Sequence, residues 1–108
     1  MARAILYDKN EEEWCKKDID ITTPDDIRRV LNTEDVEQIK IDDWQKHIFF
    51  SLSALAQQKS ISGRVQNADG DREMFCYPFI LAEGNNQGQL VDISQETIEY
   101  FNKYGELF

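Results

Sequence analysis

"DWQKHIFFSLSALAQQ", Asp43 to Gln58, is the stretch on which the fold turns, because it satisfies two periodicities at once. Helical spacing places Trp44, Ile48, Leu52 and Leu55 on one stripe. Strand spacing puts Ile48, Phe50, Leu52 and Ala54 on one face and Phe49, Ser51, Ser53 and Leu55 on the other. The Ile-Phe-Phe cluster at 48–50 favours a pleated surface, and the segments on either side look like a meander, so residues 44–57 are read as a strand. A helix is the alternative that the spacing leaves open.

Upstream, "ARAILYD" alternates Ala4 and Leu6 with Ile5 and Tyr7, as a strand with both faces partly covered would. "NEEEW" breaks it. "WCKKDIDI" then sets Cys15, Lys17, Ile19 and Ile21 on one face and mostly charged residues on the other, an edge-like strand. In "TTPDDIRRVL", Thr23 is a natural N-cap, Pro24 suits the first helical position, and Asp25 and Asp26 complement the positive helix end. Ile27, Val30 and Leu31 share one face, which predicts a short helix packed on a sheet. Asn32 to Asp35 ends it, and "VEQIKID" resumes alternation with Ile39 and Ile41 on one side.

Downstream, "SISGRVQ" and "REMFCYPFIL" are two further apolar runs. Pro78 cannot donate to a ladder, so the second run is expected at a sheet edge or with a bulge there. "AEGNNQGQ" reads as a polar loop without P-loop spacing. "DISQETIEYFNKYGELF" predicts a closing helix capped by Ser94, with Ile98, Phe101 and Tyr104 inward and Gly105 as its stop. Residues 1–108 are expected to form a single α+β domain. Its mostly antiparallel sheet should have about five to six strands, with a helix in the N-terminal half and a C-terminal helix packed on it.

A net charge of −9 disfavours nucleic acid and anionic membrane as direct partners and favours a basic protein. The first 45 residues hold 13 of the 21 acids and 7 of the 12 bases, so the N-terminal half is the more electronegative. No stretch approaches membrane-spanning length, and "MARAILYDKNEEE" has no signal-peptide core. With only Cys15 and Cys76, widely spaced, a reducing cytoplasm is the expected compartment.

"QNADGDRE", Gln66 to Glu73, begins like a calcium loop, with Asn67, Asp69 and Asp71 at alternate positions. Its sixth position is Arg72 where glycine is needed, and its twelfth is Pro78 where a bidentate Glu should close the shell. Asp69-Gly70 between two apolar runs is instead a hairpin signal, of type I′. A cysteine enzyme would need Cys15 or Cys76 beside His47, the only histidine, and no nucleophile signature surrounds either thiol. No metal or cofactor site is expected. Phe49, Phe50, Phe75, Tyr77 and Phe79 lack the interleaved Lys and Arg of a nucleic-acid platform.

The order "RAILYD", acidic break, "DIDI", "TTPDDIRRVL" resembles the first-numbered family of immunity proteins, antidotes to bacterial polymorphic and contact-dependent toxins. Thr23, Pro24 and Asp25 match that family's helix start, and "LVDISQETIEYFNKYG" looks like its closing strand and helix. The resemblance covers the first third and the last sixth of the chain. It implies an inhibitor that neutralises a toxin, such as a basic nuclease, by contact alone. The alternatives are a phage or mobile-element inhibitor imitating nucleic-acid charge and a small cysteine-dependent enzyme. The candidate partner surface is Glu11, Glu12 and Glu13 with Asp42, Asp43 and Trp44, where an aromatic follows two acids at the end of an apolar strand.

Overall fold

The computed structural model describes residues 2–11, 13–41, 45–51 and 61–108. Nine strands and two helices follow one another there: β1 (Ala2–Asn10), β2 (Glu13–Ile21), α1 (Pro24–Leu31), β3 (Val36–Ile41), β4 (Lys46–Ser51), β5 (Ile61–Gln66), β6 (Arg72–Cys76), β7 (Phe79–Gly84), β8 (Leu90–Val91), α2 (Gln95–Tyr104) and β9 (Glu106–Leu107). The large sheet runs β2-β1-β7-β4-β3, with β8 pairing the end of β7, and a small sheet runs β6-β5-β9. All of the pairings are antiparallel. The expected α+β domain is present, with its strands divided between two sheets.

The strand reading of 44–57 is correct over Lys46–Ser51, where β4 lies between β7 and β3. Its two periodicities conflict for a physical reason: both faces of β4 are covered. Ile48 and Phe50 enter a core shared with β5, β6 and α2. Phe49 faces the other way, against Ile27 and Leu31 of α1. The rest of the ambiguous stretch lies outside the described residues.

The same alternation runs through the sheet. Ile5, Tyr7, Ile39, Ile41, Phe79 and Leu81 point to the small sheet and α2, where Val65, Phe75 and Phe101 meet them. Ala4, Ile21, Ile80 and Ala82 point to α1. Tyr7 stacks on Phe79 with ring centroids 4.6 Å apart and planes 6° off parallel, and Phe75 meets Phe79 edge-on at 4.7 Å. Burying aromatic rings of this size contributes about 2–3 kcal/mol each.

Helix α1 starts as its sequence predicts: Thr23 Oγ1 accepts Asp26 N–H, and Asp26 Oδ2 accepts Thr23 N–H at 3.0 Å, a complete capping box. Asn32 closes the helix in the left-handed conformation, φ 53°. Strand β2 is the expected sheet edge, although the β1–β2 ladder is longer than read, pairing Asn10 with Glu13 and Ala2 with Ile21.

Three expectations need correction. The expectation that the run around Pro78 is an edge strand holds only for its first part, since β6 is an edge of the small sheet while β7 is central in the large one. The run "REMFCYPFIL" breaks at Tyr77-Pro78 into β6 of the small sheet and β7 at the centre of the large one, so the missing N–H falls between ladders. Tyr104 is 53% exposed, because the inward stripe of α2 is Thr97 and Phe101, with Ile98 half-buried. The turn after β5 is not type I′. Only Gly70 takes positive φ, at 93°, and the loop has five residues because Asn67 organises it with its side chain.

Candidate functional site

Glu11 and Glu13 are exposed at the tip of the β1–β2 hairpin, Glu11 in the left-handed conformation at φ 59°. Glu12, Asp42, Asp43 and Trp44, including one whole half of the expected surface, lie outside the described residues. Asp8, Asp18 and Asp20 are exposed on the same hairpin. Its bases are partly occupied: Lys9 Nζ sits 5.6 Å from the centroid of Trp14, and Lys16 Nζ 5.5 Å from that of Tyr7. Elsewhere Arg28 and Arg29 pair with Asp25 and Asp26, and Arg64 and Arg72 both reach Glu106. Four arginines are therefore paired within the chain, while the hairpin presents acids without ion pairs among the described residues, interleaved with exposed Arg3, Lys16 and Lys17.

The thiols and the imidazole do not converge. Cys76 is 1% exposed in the core on the small-sheet side, and burial pushes its thiol pKa up. The alternation of β4 puts His47 with Phe49, on the opposite side of the large sheet. Cys15 is exposed on β2, separated from β4 by β1 and β7. Gln38 Nε2 lies 3.0 Å from His47 Nδ1; as donor it assigns the ring proton to Nε2.

In the loop with calcium-like spacing, Asn67 Oδ1 accepts the backbone N–H groups of Asp69 and Asp71, both at 2.9 Å, and Asn67 Nδ2 donates to Glu73 at 2.7 Å. The oxygen that would be the first cation ligand serves the loop's own backbone. Among the described residues no group of three or more His, Cys, Asp or Glu side chains is placed to hold a metal ion.

A concave site that sequence reasoning missed lies on the α1 face of the large sheet. Helix α1 covers β4 on that face, where His47 and Phe49 are buried, and leaves the β3 margin open, forming a groove of about 950 Å³. Its floor is Gln38 and Lys40 of β3 with His47 and Phe49 of β4, paired as Gln38–Phe49 and Lys40–His47 in the ladder. Alternation of "VEQIKI" marks Gln38 and Lys40 as facing away from Ile39 and Ile41. No local signal says that an eight-residue helix would stop short of them.

Glu83 and Lys46, opposite each other on β7 and β4, form a polar cluster with the start of α2. Glu83 Oε1 accepts Ser94 Oγ at 2.7 Å and Thr97 Oγ1 at 2.5 Å. Lys46, 5% exposed, has its Nζ 5.5 Å from the centroid of Tyr100. The cluster fastens α2 to the sheet.

No protein-family model, curated protein or solved structure matches the chain.

Proposed function

We propose that this protein acts by contact, as an immunity-type inhibitor that covers a basic toxin domain with its acidic surface. The observation that carries this reading is the β1–β2 hairpin: Asp8, Glu11, Glu13, Asp18 and Asp20 stand exposed on one edge of the large sheet, and no ion pair engages them among the described residues. The hairpin also carries Arg3, Lys9, Lys16 and Lys17, but acids are in excess on it, and an excess of one sign steers a partner of the other sign and raises its association rate. The sequence resemblance to immunity proteins supports the same reading. The compartment in which a cytoplasmic inhibitor of this kind works is the one that keeps Cys15 and Cys76 as thiols.

The test is kinetic. Affinity capture from the source cells identifies the partner, and stopped-flow association with the purified partner is followed from low to high salt. The association rate should fall steeply with salt, and Glu11→Gln with Glu13→Gln should flatten that dependence while leaving the melting midpoint in place. Growth of cells expressing the partner should be rescued by coexpression of the parent chain. An association rate indifferent to salt, or a partner whose activity is unaffected by saturating inhibitor, would overturn the proposal.

A further inference from the structure

The groove beside α1 differs in chemistry from the rest of the surface. In a chain of net charge −9, its charged side chains among the described residues are Arg28 and Lys40, both basic. Lys40 is exposed on β3, and the Arg28 side chain, 37% exposed, leans from α1 toward Asp25. Between these two cations lie the exposed Gln38 amide and the edge of the buried His47 ring. Hydrogen-bond donors and positive charge predominate.

The remainder of the lining is apolar. Phe49 forms part of the floor with its ring centroid 5.9 Å from that of His47, and Ile27, Val36 and Leu90 close the sides. One end is a preformed wall: Asn85 N–H donates to Gln89 O at 2.9 Å, Gly88 N–H to Asn85 O at 3.1 Å, and Asn85 Oδ1 accepts from Gln87 and Gln89. Gly88 turns the chain there at φ 78°. A site shaped before its ligand arrives loses less entropy on binding.

We infer that this groove binds a short acidic peptide segment, with carboxylates on Arg28 and Lys40 and an apolar side chain against Val36 and Leu90, the half-buried part of its lining. Charge complementarity selects the sign: Lys40 is exposed with no ion pair among the described residues, and Arg28, paired with Asp25 through one nitrogen, keeps further N–H donors, so an acidic segment meets attraction here and repulsion over most of this surface. The volume and open side suit an extended segment better than a small molecule, which is commonly enclosed over most of its area. The site is separate from the acidic hairpin, so the two proposals stand or fall on different residues.

The probe is a labelled, terminally blocked peptide alternating glutamate and leucine, followed by fluorescence anisotropy against the full chain, with its lysine-for-glutamate counterpart as control. The acidic peptide should bind saturably and the lysine peptide should not. Arg28→Gln combined with Lys40→Gln should weaken binding by at least about tenfold. Lys40→Gln alone, a change on an exposed strand residue, should weaken it severalfold with the melting midpoint unchanged. Glu11→Gln with Glu13→Gln should leave peptide affinity unchanged. Failure to bind, equal binding of both peptides, or full affinity in the Lys40→Gln variant would overturn the inference. Displacement of the peptide by phenylbutyrate at equal concentration would also overturn it, assigning the groove to small organic acids.

Discussion

Glu83 Oε1 accepts the Ser94 backbone N–H at 3.1 Å and the Ser94 hydroxyl at 2.7 Å, so a residue of the central strand β7 caps helix α2. Ser94 in turn accepts Thr97 N–H at 3.2 Å. The two contacts tie the C-terminal helix to the middle of the large sheet, where burial of Phe101 depends on its placement.

Glu83 links that tie to pH. Burial pushes its carboxyl pKa up, but hydrogen bonds from Thr97 and Ser94, together with the charge of Lys46, outweigh it, and the net shift is below the ordinary value of 4.5. A depressed folded-state pKa means that the unfolded chain binds more protons in this window. The stabilisation is then complete above about pH 4.5 and is lost as pH falls through the folded value. Melting midpoints should therefore drop more steeply below that pH for the parent than for Glu83→Gln. At neutral pH, Glu83→Ala should cost about 1–3 kcal/mol by leaving the donors of Ser94 and Thr97 without their acceptor. Parallel pH profiles for the parent and Glu83→Gln would refute the linkage.

Tyr7 is fully buried and its hydroxyl has no hydrogen-bond partner among the described residues, while burial pushes its phenol pKa up. An unpaired buried hydroxyl costs about 1–3 kcal/mol of desolvation. Tyr7→Phe keeps the stack on Phe79 and the contact with Lys16 and removes that cost. Thermal denaturation should show a gain of about 1 kcal/mol, on the order of 4 °C for a domain of this size. Tyr7→Ala, which empties the stack, should lose about 3–5 kcal/mol.

What the sequence discloses follows from how far each signal is local. The Thr23 and Ser94 caps, the edge position of β2 and the helix face of Ile27 and Leu31 are all decided within a few residues, and all are found; that Asp26 completes a capping box appears only in the structure. The two-sided burial of β4 is decided by α1 on one face and Phe75 and Phe101 on the other, which the spacing of "HIFFS" cannot show. Pro78 was legible as a break in hydrogen bonding, but where the chain goes after the break depends on β1 and β4 accepting β7 between them. The small sheet is closed by β9, two residues long, and the groove exists because α1 ends where it does. Neither has a periodic signature.

The two thiols should differ sharply in reactivity. Cys15 is exposed, whereas Cys76 is buried with its pKa raised, so Ellman's reagent should modify Cys15 in the native protein and Cys76 only on unfolding. Cys15→Ser should be neutral in stability, and Cys76→Ala should lose about 1 kcal/mol through the small cavity it leaves. Rapid native labelling of the Cys15→Ser protein would show that the core around Phe75 and Cys76 opens readily.

Gly63 sits in β5 where it pairs with Leu107 of β9. A Cβ there would stand 2.6 Å from the Phe75 ring and still closer to the Glu106 carbonyl oxygen. The ring could swing aside only by disturbing its edge-on contact with Phe79, and the carbonyl belongs to the β5–β9 ladder, so neither neighbour yields cheaply. Gly63→Ala should destabilise the fold by about 1–3 kcal/mol. The loss should be local as well as global: hydrogen exchange should quicken at the Arg64–Glu106 pairing and in β9 before it changes in the large sheet. Gly88→Ala is the control, since a Cβ there meets no atom within 4 Å and only its φ of 78° is unfavourable. Its cost should stay near 1 kcal/mol. If the two variants melted alike, close packing at Gly63 would not be what holds the small sheet together.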